Sequence, residues 1–125
     1  MTSDEATPAA GVATSDRDGV VVAVVSGELD MISVDKVGAA LFDLSDEKPD
    51  GLVVELAVDF MGSSGLSMLL ELAARAQRDG VGFAVVATAV AAARPLMASA
   101  LTQVLPMSES VDEAVKSILA EPSRR

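Results

Sequence analysis

Residues 20–25 read Val-Val-Val-Ala-Val-Val, and no other stretch limits the fold so strongly. Six residues are too few for a stable helix, and β-branched side chains lose rotamer freedom in one. A short, unbroken apolar run fits a strand buried on both faces, as in the middle of a parallel sheet. Leu52 to Leu56 reads as the next strand, and Val81 to Ala87 as a third strong one.

Helical spacing fills the intervals. Val34, Val37, Leu41 and Leu44 form one apolar stripe after Ser33. Leu66, Leu69, Leu70, Ala73 and Ala76 form another, with Glu71, Arg75 and Arg78 directed away and Met68 on that outward side. Asp79-Gly80 ends that helix. Thr88 is placed to cap a short third helix, with Pro95 near its start or kinking it. Val104 and Leu105 read as a brief edge strand. Ser110 then caps a last helix, with Asp112 and Glu113 in its first turn and Val111, Ala114, Val115, Ile118 and Leu119 on its apolar side. Upstream, Asp16-Arg17-Asp18-Gly19 is a tight-turn signal that pairs a weak strand, Gly11 to Ser15, with the valine run. Ser26-Gly27-Glu28-Leu29-Asp30 ends that run, and Lys48-Pro49-Asp50-Gly51 breaks the chain before the next strand.

The order is β-β-α-β-α-β-α-β-α. Strands alternating with helices predict an α/β fold, with a largely parallel sheet of about five strands and about four helices. One domain is expected over 11–120, after a flexible leader at 1–10 and before a short polar tail at 121–125.

Composition narrows the function. Nine Lys or Arg against nineteen Asp or Glu leave a net charge of −10, which repels nucleic acid and anionic lipid and favours a partner with a basic face. The chain has no Cys, which excludes thiol chemistry and thiolate metal sites, and no His, the commonest general base and metal ligand. Only three Phe and no Trp or Tyr are available to stack bases. No catalytic residue, metal or cofactor is expected. No apolar run reaches the ~20 residues of a membrane span and no signal peptide opens the chain, so a cytoplasmic location is expected.

Ligands of open α/β sheets gather at the carboxyl ends of the strands. Two segments end there, Gly27-Glu28-Leu29-Asp30 and Phe60-Met61-Gly62-Ser63-Ser64-Gly65, and they are neighbours if their strands pair. A serine opening a helix ordinarily caps it. The same position holds a phosphate on free N–H groups and the helix dipole, so phosphoserine is accommodated there at low cost. Gly62 and Gly65 leave the backbone open to another chain, and an exposed Met68 suits a partner surface. Gly62-Ser63-Ser64-Gly65 is one residue short of a hydrolase nucleophile elbow and lacks a base. Glu28 and Asp30 are open to acid–base or Mg²⁺ chemistry, or are simply solvated acids.

The valine run leading into Gly27-Glu28-Leu29-Asp30 resembles the Gly-Glu-(Ile or Leu)-Asp signature of STAS domains. Phe60-Met61-Gly62-Ser63-Ser64-Gly65-Leu66 resembles that family's Phe-(Met, Ile or Leu)-Asp-Ser-(Ser or Thr)-Gly-Leu loop. The likeness spans about Gly11 to Ala120, including a third-helix segment that ends in Leu101.

It implies an anti-sigma factor antagonist, which binds an anti-sigma factor of the serine-kinase type and thereby frees a sigma factor. The kinase then phosphorylates the loop serine and the complex separates until a phosphatase resets it. On this likeness Ser63 is the phosphoacceptor, with Ser64 as the second choice. The docking surface is Asp30, Met31, Ser33, Gly62, Ser63, Ser64, Gly65, Leu66, Ser67 and Met68. Gly62 stands where the family usually carries Asp, which removes an acid beside the hydroxyl. The rival expectations are a STAS adaptor subunit of a stress-signalling or lipid-transport assembly, and an enzyme or nucleotide-binding protein using Glu28 and Asp30.

Overall fold

The structure, a computed structural model, describes residues 11–99 and 104–120. The expected leader at 1–10, Leu101 and the tail at 121–125 lie outside the described residues. Strand β1 (Gly11–Arg17) and strand β2 (Val20–Leu29) form an antiparallel hairpin, followed by helix α1 (Val34–Asp46) and strand β3 (Gly51–Met61). Helix α2 (Ser63–Asp79), strand β4 (Gly82–Ala87), helix α3 (Val90–Ala98), strand β5 (Met107–Ser108) and helix α4 (Val111–Ala120) complete the order read from the sequence. The hairpin turns on Asp18 and Gly19, both at positive φ, and the Gly19 N–H donates to Asp16 Oδ1 at 3.1 Å.

The five strands lie side by side in chain order, and all pairs after the first hairpin are parallel. Right-handed crossovers between strands that advance in one direction put their helices on one face. Residues of α1, α2 and α3 therefore share a core with Ala23, Val25, Leu52, Val54, Leu56, Phe83 and Val85. Among the described residues the other face is covered by α4 alone, whose Ala114, Val115 and Ile118 pack on Val20, Val22, Val53, Ala84 and Val86. The valine run is thus covered on both faces, as its pattern predicts. Fully buried side chains such as Leu41, Leu52, Leu69 and Leu72 each contribute roughly 1.5–3 kcal/mol of burial free energy.

Several local expectations are corrected. The edge strand is Met107–Ser108, whereas Val104 is exposed and Leu105 turns into the core. Thr88 does not cap α3: its hydroxyl donates to the Leu56 carbonyl oxygen at 3.3 Å, and Ala89 occupies the cap without a side-chain bond. Pro95 sits late inside α3, near its C-terminus. Ser110 does cap α4, accepting the Glu113 N–H at 3.1 Å, but Leu119 is exposed.

The largest correction concerns α2. Its buried residues are Gly65, Met68, Leu69, Leu72 and Ala76, while Leu66, Leu70 and Ala73 are half-buried at the core margin. Met68 is 6 % exposed, because α2 packs against α1 as well as the sheet and its apolar stripe is correspondingly wider.

Candidate functional site

Both β2 and β3 continue beyond the apolar runs that announce them. Pairing holds through Ser26–Ala57 and Gly27–Val58, then shifts so that Glu28 pairs with Phe60 and Leu29 with Met61. The shift leaves Asp59 as an extra residue on β3. Gly27 adopts φ +89°, a conformation most side chains avoid, and this permits the irregularity. Strand side chains alternate, so an extra residue exchanges the faces of everything that follows. Val58 is buried, and Phe60 would follow it into the core in a regular strand. Instead Met61 takes the core position at 5 % exposure and Phe60 stands out at 50 %.

The two motifs then meet. The Gly62 N–H donates to the Leu29 carbonyl oxygen at 3.0 Å, tying the start of α2 to the end of β2. Gly65 lies against the same leucine: a β-carbon there would sit 3.0 Å from Leu29 Cδ2 and 3.3 Å from Met61 Cγ. Its small size therefore serves this chain's own packing. Gly65 is buried and does not provide the open backbone expected of it for a partner.

Asp30 and Ser33 shape the turn into α1. Asp30 Oδ1 accepts the Ile32 N–H at 3.0 Å and the Ser33 N–H at 2.9 Å. Ser33 Oγ accepts the Asp30 N–H at 3.1 Å and donates to the Glu28 carbonyl oxygen, with Asp30 Oδ1 also 3.1 Å away. The Ser33 amide bond holds the Asp30 carboxyl below the ordinary aspartate range. Partial desolvation opposes that, while the Ser33 hydroxyl and the Ile32 amide reinforce it. The closed turn projects Met31 and Ile32 outward, 81 % and 89 % exposed.

Ser63 is the first residue of α2 and is exposed, and Ser64 is half-buried. Neither caps the helix. Gly62 is the cap residue, with extended backbone and no side-chain bond, and the first turn carries no acid. Ser67 is exposed on the next turn. The expected docking residues Asp30, Met31, Ser33, Gly62, Ser63, Ser64, Leu66 and Ser67 thus reach the surface at one edge, wholly or in part, while Gly65 and Met68 are core. Two residues absent from that expectation join it: Ile32, visible in sequence as a second large apolar residue beside Met31, and Phe60, whose exposure depends on the register shift.

Among the described residues no group of three or more acids or other ligating side chains converges to hold a metal. Glu28 is an exposed strand residue, and the Asp30 carboxylate is engaged by its own turn. Among the described residues no helix is long and apolar enough to cross a membrane.

Comparison with known proteins places the chain in a family. The chain is 31% identical over 110 residues to the anti-sigma-F factor antagonist RsfB of Mycobacterium tuberculosis, covering 86% of this chain and 88% of that protein. The crystal structure of an anti-sigma factor antagonist from Mycobacterium paratuberculosis superposes with a TM-score of 0.83 at 32% identity, covering 91% of this chain and 97% of that one. The unphosphorylated anti-sigma factor antagonist SpoIIAA shares the fold at a TM-score of 0.68 and 15% identity, over 90% of this chain and 100% of its own. The STAS domain family model matches residues 12–114. That match covers most of the chain, and with it the chain belongs to the family: it is a STAS domain protein.

Proposed function

We propose that the chain is an anti-sigma factor antagonist, a binding module that engages an anti-sigma factor of the serine-kinase type and so releases a sigma factor in the cytoplasm. The observation that carries this reading is the edge itself. Met31, Ile32 and Phe60 are exposed apolar side chains at the same end of the sheet as the exposed hydroxyl of Ser63. A monomer gains nothing from leaving such residues in water, whereas a partner with a complementary socket gains apolar burial from each.

Ser63 is the phosphoacceptor of this reading. Its Oγ takes the γ-phosphoryl group of the kinase's ATP, with ADP leaving and the hydroxyl proton lost to the kinase's base, and the added charge of about −1.5 to −2 at the centre of the contact ejects the partner. A phosphatase restores the hydroxyl. Gly62 supplies no carboxylate beside Ser63, so the kinase must orient the hydroxyl with its own groups.

The test incubates the chain with purified serine-kinase-type anti-sigma factors of the source organism and ATP, comparing wild type, Ser63→Ala and Ser64→Ala. Binding by all three, with phosphate incorporation lost only in Ser63→Ala, is the expected result. Incorporation lost only in Ser64→Ala moves the acceptor by one residue. Binding without incorporation makes the chain an antagonist under some other control. No binding by wild type at micromolar concentration overturns the reading.

A further inference from the structure

Beside the Ser63 edge, the N-terminal halves of α1 and α2 enclose an open groove of about 500 Å³. Its floor is apolar. Gly38 lets the helices approach so closely that a β-carbon there would sit 3.2 Å from Met68 Cγ, and Phe42 continues the floor. Asp35 on α1 and Glu71 on α2 line it, both exposed, and no Lys or Arg among the described residues forms an ion pair with either. Ser64 and Ser67 carry it to the docking edge.

At the Phe42 end the chain shows what such a surface holds. The Arg75 guanidinium stacks 4.5 Å from the Phe42 ring centroid and donates to both carboxylate oxygens of Asp46 at 3.2 Å. A planar cation over an apolar floor, with a carboxylate to fix it, is the favourable geometry for guanidinium. The rest of the groove repeats the floor and the carboxylates, and none of the described residues lining it is a cation.

We infer that this groove receives an arginine side chain from the anti-sigma factor, seated over Met68, short of the Phe42 ring that Arg75 covers, and paired with Asp35 and Glu71. The inference rests on the proposed antagonist function and adds the partner's chemistry and a second point of contact. The groove adjoins the proposed interface through Ser64 and Ser67, and its unmatched negative charge selects a basic occupant. A flat, weakly hydrated guanidinium suits a half-apolar groove better than the compact, strongly hydrated ammonium of lysine.

Calorimetric titration of the full chain with the anti-sigma factor that binds it tests the inference through four variants. Asp35→Asn and Glu71→Gln remove the charges, and Ala39→Leu fills the groove from an exposed helix position without changing charge. Asp43→Asn, an exposed acid of α1 outside the groove lining, controls for the general field. Far-ultraviolet circular dichroism and melting curves establish that each variant is folded. The expected result is an affinity loss of about tenfold for Asp35→Asn, Glu71→Gln and Ala39→Leu, with less than twofold for Asp43→Asn.

Charge variants that weaken binding while Ala39→Leu does not would mean the acids act at a distance over an empty groove, which overturns the inference. Loss by Ala39→Leu alone would mean an uncharged occupant, which also overturns it. All four variants within twofold of wild type overturn it while leaving the antagonist reading intact. Failure of wild type to bind removes both.

Discussion

Asp30 controls more of the docking edge than its own exposure conveys. One carboxylate oxygen accepts two backbone N–H groups, and the Ser33 hydroxyl completes the turn, so Met31 and Ile32 are held outward before any partner arrives. Pre-ordering of this kind lowers the entropy lost on binding. Asp30→Ala is expected to speed amide exchange at Ile32 and Ser33 and to weaken anti-sigma factor binding by roughly tenfold, measured by exchange and titration. Because the hydrogen bonds lower the Asp30 pKa in the folded state, its contribution is present above the ordinary value of 3.8 and is lost only as the pH falls below it. The amide signals of Ile32 and Ser33 are therefore expected to stay unchanged from neutral pH down to about 4 and to move below that. Ser45 is a contrasting residue. Its hydroxyl is fully buried in α1 without a hydrogen-bond partner, so Ser45→Ala is expected to stabilise the fold by about 1 kcal/mol, seen as a melting temperature higher by a few degrees.

At the scale of elements, the irregular pairing of β2 with β3 does the most. It lets β3 run to Met61, beyond its last pairing with β4 at Leu56, and it exchanges Phe60 for Met61 in the core. Gly27→Ala forces a β-carbon into a left-handed conformation and is expected to cost about 1–2 kcal/mol. The same substitution strains the register on which Phe60 depends. It should therefore lower the melting temperature and also weaken binding by more than the lost stability explains, a combination that denaturation and titration separate. Helix α2 shows a related dependence on its neighbours. Read as a helix on a sheet, it has one buried stripe and Met68 outside it. Packed also against α1, it buries Met68 and becomes one wall of the groove.

For the whole molecule, charge and asymmetric cover set the terms of binding. The net charge of −10 is spread over a small domain, so association with a basic partner should be fast at low salt and weaken as salt screens it. Raising sodium chloride from about 50 to 500 mM is expected to lower the association rate far more than it raises the dissociation rate, which stopped-flow mixing would resolve. A dissociation rate that carried the whole effect would count against electrostatic steering. The three helices back one face of the sheet along its length, whereas the short α4 packs on Val20, Val22, Val53, Ala84 and Val86 and leaves Glu28 and Phe60 exposed at the strand ends.

What the sequence determined by itself was set by local chemistry. Alternating valine-rich runs and amphipathic stripes carry enough periodicity to order the helices and the longer strands, and the two motifs mark the strand ends on which the proposed docking surface rests. Ser63 is legible in the same way, since a serine after a glycine at a helix start needs no distant contact to become exposed. Tertiary structure decided the rest. Phe60 and Met61 exchange faces through a register shift that exists only when β2 and β3 pair, and Met68 is buried only because α1 lies beside α2. The two-residue β5 has too little length for a periodic signal and takes its place from pairing with Val85 and Val86. Sequence periodicity records how one segment divides between core and solvent; which neighbour covers a segment, and where a strand slips, depends on contacts between residues far apart in the chain.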